Sequence, residues 1–259
     1  MSEQVVNKPV TSILISQPAP SDSANSPYTR IADRWGIQID FRKFIQVDGV
    51  SVNEFRKQGV NPLDFSAIIL SSKVAVDHFF RLLEEMRIEM PPEMRYFCVG
   101  ESTAKYLQKY IVIRKRKLHV GERRLMDLLP LIQKYKKEKY LFPCSDVTRN
   151  QLTGEIESLG IEVVESVMYR TVASDLSDLE NIFYDMICFY SPTGIQSLYK
   201  NFPDFKQNNT RIAVFGKTTA DEAELAGLRL DVVAPQPEQP SMTAAIEAYL
   251  KTTGQEMSQ

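Results

Sequence analysis

At 259 residues the chain is long enough for two domains, and its 43% hydrophobic and 25% charged residues are the make-up of an ordinary globular protein. A net charge of −2 gives no global attraction to nucleic acid or to an anionic membrane surface. No apolar run approaches the roughly 18 residues of a membrane span, and MSEQVVNKPV lacks a basic flank followed by an apolar stretch, so a cytoplasmic protein is expected, with no nucleic-acid or membrane partner.

The chain opens on a strand at residues 11–16 and a loop, SQPAPSDSANS, rich in the Ser, Asp, Asn and Pro that start helices. A helix is predicted near 27–35 and is stopped by Gly36. The run IQIDFRKFIQV follows, 11 residues that read as one long strand against a usual five or six. Next comes AIILSSKVAVDHFF, and 28 residues after Ser72 comes Gly100 in FCVGESTAKYL. Each is a short apolar run, then small hydroxyl or glycine residues, then a helical pattern. In a parallel α/β sheet that order puts backbone N–H groups and hydroxyls at the carboxyl end of a strand and the start of a helix, where anions are favoured.

Residues 105–139 are locally basic, with twelve Lys or Arg against three acids. A solvated surface explains this; attraction of a polyanionic small molecule is the functional alternative. The opening grammar then recurs. KYLFP is a strand, CSDV a loop, TRNQLTGEIESL a helix and Gly160 its stop, followed by the 12-residue strand IEVVESVMYRTV. MICFYSPTGIQSLY and AVFGKTTADEAELAG repeat the earlier motif pair, with Gly216 lying 25 residues after Ser191. The copies are offset by 124 residues (Gly36 to Gly160), 119 (Ser72 to Ser191) and 116 (Gly100 to Gly216), as an internal duplication requires. Alternating strands and helices predict parallel sheets in two doubly wound lobes. The two long strands read as the connection between lobes and could pair with each other.

Little else suggests chemistry. Cys98, Cys144 and Cys188 lie in or beside apolar runs, as small buried hydrophobes do. His78 and His119 are the only histidines, and no CxxC or HExxH supports a metal site. His78, beside Phe79 and Leu82, reads as a structural histidine with its hydrogen bonds satisfied. There is no G-x-S-x-G elbow and no GxGxxG or GxxxxGK[ST], which argues against a serine hydrolase and a nucleotide-using enzyme.

The ordered set LFPCSDVTRNQL, ESLGIEVVESVMYRT, FYSPTGI and IAVFGKTTADEAELAGL, with AIILSSKVAV and VGESTA before it, resembles the uroporphyrinogen-III synthase family over roughly residues 11–250. The resemblance implies two similar doubly wound parallel-sheet α/β lobes joined by a two-stranded β-ladder. Lobe 1 would be discontinuous, residues 1–46 and 170–259. Lobe 2 would be the inserted 47–169, with linker strands at about 41–48 and 166–172. Each βαβ unit would then share a lobe with the motif pair from the other half of the sequence.

The activity implied is dehydrative cyclisation of hydroxymethylbilane, a linear octacarboxylate tetrapyrrole, with inversion of its last ring to give uroporphyrinogen III. No metal or organic cofactor is implied. Transient contact with the preceding pathway enzyme is compatible with it, and a monomer is the default. Tyr169 matches the family's tyrosine near the end of the second linking strand, where a phenol can assist departure of the hydroxyl; without the resemblance it reads as a packing tyrosine. Ser71, Ser72, Gly100 and Thr103 from the first motif pair would bind substrate carboxylates, as would Ser191, Thr193, Gly216, Lys217, Thr218 and Thr219 from the second, through hydroxyls and backbone N–H groups. Helix capping is the plain alternative for the Ser and Thr residues. Ser145 and Arg149, after LFPC, join the same set. Ser71-Ser72-Lys73 stands where the family often has Thr-Ser-Pro, and Lys217 where it often has a neutral residue; both departures add positive charge. A two-lobed binding or regulatory module that kept the fold and lost the chemistry is the alternative to the enzyme.

Overall fold

The computed structural model describes residues 8–148 and 153–253. In chain order the elements are β1 (Ser12–Ile15), α1 (Pro27–Trp35), β2 (Gln38–Phe41), β3 (Ile45–Gly49), α2 (Val52–Lys57), β4 (Ala67–Leu70), α3 (Lys73–Met86), β5 (Arg95–Val99) and α4 (Gly100–Leu107). Then follow β6 (Leu118–Gly121), α5 (Leu129–Lys134), β7 (Tyr140–Ser145), α6 (Thr153–Ser158) and β8 (Val163–Ala173). The last are β9 (Met186–Phe189), α7 (Pro192–Asn201), β10 (Arg211–Phe215), α8 (Lys217–Leu225), β11 (Val232–Ala234) and α9 (Met242–Thr252). No helix among the described residues is long and apolar enough to cross a membrane.

The chain divides into two units. One is residues 1–46 with 172–259, the other 47–171. The first unit holds a five-stranded sheet in the order β11-β10-β9-β1-β2, every neighbouring pair parallel. Its strands come from both ends of the sequence, because the first βαβ segment pairs with the last motif pair. The second unit holds the six-stranded sheet β3-β8-β7-β4-β5-β6, in which β4 to β8 pair parallel.

The central strands are apolar throughout because helices cover both of their faces. All four residues of AIIL in β4 and MICF in β9 are buried, as is all of YLFPCS in β7. Fully burying each Ile, Leu or Phe stabilises by about 1.5–3 kcal/mol. Helix ends follow local rules. Ser26 accepts from Tyr28 N–H with Pro27 next in line, and Gly36 closes α1 in the left-handed region at φ 60°. Ser51 and Glu54 form a reciprocal capping box on α2. Cys98, Cys144 and Cys188 are buried and form no disulfide among the described residues.

The first of the two long strands is corrected. The 11-residue run 37–47 is two strands, β2 in one sheet and β3 in the other, separated by Arg42-Lys43-Phe44. Tertiary contacts cut it. Phe44 is fully buried in the first unit's core, its carbonyl accepts from Ser174 N–H at 2.9 Å, and Arg42 turns to Asp178 at 2.9 Å. The second run does stay one strand of 11 residues, β8. The divisions at 46/47 and 171/172 fall inside β3 and β8, which lie side by side at one edge of the second sheet. β7 also reaches further than read, taking in Cys144 and Ser145.

Candidate functional site

The second unit gathers several of the sequence-predicted residues at the carboxyl ends of its strands. β4 ends at Leu70, and Ser72, in extended backbone, caps α3 by accepting Ala75 N–H at 3.1 Å. The neighbouring β7 ends at Ser145, whose register partner on β8 is Tyr169. Tyr169 is 6% exposed and belongs to the core that packs β4 and α3. Its phenol interacts electrostatically with the side chains of Ser72 and Ser71. Burial pushes the phenol above its ordinary value; the Ser72 and Ser71 hydroxyls pull it back in part. The group is therefore a protonated phenol at neutral pH, able to donate.

The other predicted residues of this unit differ in role. Gly100 begins α4 at φ 76°, a conformation that favours glycine, and a Cβ there would make a tight 3.3 Å contact with the Glu122 carbonyl. Thr103, in the first turn of α4, is only 3% exposed and faces inward. Ser145 is 4% exposed and committed to Thr148: their hydroxyls lie 2.9 Å apart, and Thr148 N–H donates to Ser145 Oγ at 3.0 Å. Arg149 lies outside the described residues. Lys73, the departure from proline, lies 5.7 Å from the Tyr106 ring centroid, a cation over an aromatic face.

The first unit repeats the local geometry. Ser191 caps α7 by accepting Gly194 N–H at 3.2 Å, in nearly the same extended conformation as Ser72, and Thr193 lies in that first turn. Gly216 precedes α8 at φ 89°. Lys217 and Thr218 are exposed, whereas Thr219 is 1% exposed and faces the core. Lys217 Nζ lies 2.9 Å from Asp221 Oδ1 one turn on, which holds its pKa above the ordinary value and engages its charge. A cavity of about 380 Å³ beside Ser191 is lined by Ser16, Gln17, Pro18, Lys43, Ile45 and Tyr190. Among the described residues no carboxylate lies within ion-pair distance of Lys43.

Sequence reasoning passed over two features and misread a third. Lys43 is hidden in a run read as continuous strand. Tyr190 is a second, half-buried phenol, hydrogen-bonded to the Tyr28 hydroxyl and stacked on Phe215 at 5.9 Å. His78 is not a satisfied histidine: its ring stacks on Tyr169 at 5.1 Å and 17°, and its Nδ1 is buried without a hydrogen-bond partner. The signal for His78 was its place between Ala75 and Leu82 on the apolar stripe of α3. Among the described residues no three His, Cys, Asp or Glu side chains are grouped to hold a metal ion.

Parallel sheets assembled from both halves of the chain agree with the family comparison. The family model of uroporphyrinogen-III synthase HemD matches residues 40–244. The chain belongs to this family. A uroporphyrinogen-III synthase from Saccharomyces cerevisiae is 27% identical over 137 residues, 48% of this chain and 50% of that protein. One from Chlorobaculum parvum is 22% identical over 242 residues, 87% of this chain and 95% of that protein. The fold is that of solved uroporphyrinogen III synthases. The Helicobacter pylori structure has a TM-score of 0.56 at 18% identity, covering 93% of this chain and 99% of that one. A mutant Thermus thermophilus structure has 0.52 at 14%, with the same coverage. Uroporphyrinogen-III synthases are enzymes of tetrapyrrole synthesis, and membership makes this chain one of that group.

Proposed function

We infer that the chain converts hydroxymethylbilane into uroporphyrinogen III and water, as a cyclising hydro-lyase. The observation that carries this reading is Tyr169: a buried, protonated phenol at the carboxyl edge of a parallel sheet, its hydroxyl beside Ser71 and Ser72.

The chemistry asks for a proton donor and a shaped anion-binding surface rather than a nucleophile. The pyrrole nitrogens supply the electron pair that expels the terminal hydroxyl. The C–O bond breaks, the oxygen takes a proton and leaves as water, and an azafulvene remains. The substituted α-carbon of the last pyrrole, as nucleophile, attacks the azafulvene's exocyclic carbon to give a spiro intermediate. Breaking that α-carbon's original methylene bond and reclosing at the ring's free α-carbon, with loss of its proton, inverts the ring. Tyr169 donates the hydrogen bond or proton to the departing oxygen, assistance typically worth about 10²–10⁴-fold. Burial keeps that proton in place across the neutral range.

The eight carboxylates need donors. Ser72, Ser191 and Thr193 stand at helix starts, with Gly100 and Gly216 giving the substrate close access to backbone N–H groups. Lys43, unpaired beside the Ser191 cavity, supplies a further cation. Ser145, Thr103 and Thr219, being buried, serve by shaping the loops. The pathway places the enzyme after the one that makes hydroxymethylbilane, a short-lived compound, which favours transient contact between the two.

The test is an assay coupled to fresh hydroxymethylbilane, scoring the type III against the type I isomer. Predominant type III, formed faster than the uncatalysed control, is expected. Type I alone at the control rate rejects the enzyme reading in favour of a non-catalytic binding module.

A further inference from the structure

Helix α3 carries two groups to Tyr169. Ser72, its cap, interacts with the phenol, while His78, inside the helix, lies against the ring. The ring centroids are 5.1 Å apart with an interplanar angle of 17°, an offset stack. Both groups that meet this tyrosine thus come from one helix and its cap.

Behind His78 the packing is tight in a way that the backbone does not explain. Gly49, at the end of β3, is not in the left-handed region, yet a Cβ built on it would come 2.9 Å from His78 Nδ1 and 2.6 Å from an Arg81 guanidinium nitrogen. Glycine is needed there for room. Arg81 is fixed in turn by donating to the Val50 carbonyl at 2.7 Å and to Glu85 Oε1 at 2.7 Å. The imidazole is therefore wedged between Tyr169 and the Gly49–Arg81 wall. Burial first, and the Arg81 charge second, lower the His78 pKa, against smaller opposing effects of Asp77 and Asp48. An unpartnered buried nitrogen is costly, and an aliphatic residue would avoid that cost but could not stack.

The chain contains its own control. His119 also has a buried unpartnered ring nitrogen, Nε2, and a pKa lowered by burial. Its neighbours are Phe97, at 4.6 Å, and Tyr135, at 4.4 Å, and it does not touch Tyr169.

We propose that His78 is a positioning residue for the reaction: stacked on Tyr169 and braced by Arg81 against Gly49, it holds the phenol ring in the orientation that keeps its hydroxyl at Ser71 and Ser72. This rests on the reading of Tyr169 as the proton donor.

The experiment is a double-mutant cycle on the full chain, measuring kcat and KM for hydroxymethylbilane. Aromatic pairs are worth about 0.5–1.5 kcal/mol, so His78→Leu should lower kcat roughly twofold to tenfold, with KM unchanged. His78→Phe, which restores a ring, should recover most of the loss. In a Tyr169→Phe background His78→Leu should have no further effect on kcat. His119→Leu should leave kcat unchanged in either background. Should His78→Leu fail to fold by circular dichroism, His78→Gln takes its place in the same cycle. The proposal is overturned if the His78 variant lowers kcat by the same factor with and without the Tyr169 hydroxyl, which marks a general packing role, or if it leaves kcat unchanged. A Tyr169→Phe enzyme with full activity instead overturns the donor role itself, and the positioning role falls with it.

Discussion

The two units use one local grammar for different ends. Ser72 and Ser191 cap their helices almost identically, each accepting the N–H three residues on, at 3.1 and 3.2 Å. Each unit also has a phenol near its cap, buried in the second unit and half-buried in the first. In the second unit Tyr169 interacts with the small hydroxyls of Ser71 and Ser72 and stacks on a histidine. In the first unit Tyr190 bonds to another phenol, Tyr28, and stacks on Phe215; burial drives its pKa far up. A tyrosine paired with a tyrosine is a closed contact. The comparison teaches that the repeated motifs supply helix starts, and that what surrounds each one is decided by residues that reach it from other parts of the sheet.

The sharpest way to break this contrast is to remove each phenol hydroxyl. Tyr169→Phe should lower kcat about 10²–10⁴-fold with the circular dichroism spectrum unchanged. Tyr190→Phe should leave kcat nearly intact and cost about 1 kcal/mol of stability, from the unpaired Tyr28 hydroxyl, as read by chemical denaturation. Equal kinetic effects from the two would end the distinction between the units.

Removing the caps comes next. Ser72→Ala and Ser191→Ala should each cost about 1 kcal/mol in unfolding free energy. Only Ser72→Ala should also reduce kcat, because only Ser72 holds the phenol; Ser191→Ala should act on KM. Kinetics on both variants would sharpen or erase that asymmetry.

The smallest effect concerns acid. Glu54 is bonded by Arg170 and then by Ser51, which holds its pKa down at about 2. A depressed carboxylate stabilises the fold above its unfolded value of about 4.5, and that contribution is lost as pH falls from there toward 2. Glu54 is exposed, so screening keeps the effect small. Glu54→Gln should slightly flatten the fall of melting temperature between pH 5 and about 2, and an unchanged slope would show the pair to be silent.

Much of this could be read along the chain. The buried parallel strands are written as unbroken apolar runs, AIIL, MICF and YLFPCS, because both sheet faces are covered. Ser26-Pro27 and Gly36 mark both ends of α1 by chemistry reaching only three or four residues. Tyr169 was found through its likeness to a family, since nothing in its own neighbourhood separates it from a packing tyrosine. Thr103 and Thr219 looked the same in sequence as their exposed neighbours, and only packing turned them inward.

What the sequence by itself determined is what local physics governs: the strands, the helix starts and stops, and the doubled order of motifs. Tertiary structure decided the rest, through contacts between residues far apart in the chain. It cut the run 37–47 in two, because burying Phe44 and pairing Arg42 with Asp178 take residues 42–44 out of the strand that alternation alone would have continued. It gave Lys43 to a cavity and engaged Lys217 with Asp221. It also brought Tyr169 to Ser72 and His78, since β8 reaches the start of α3 only once the sheet has formed.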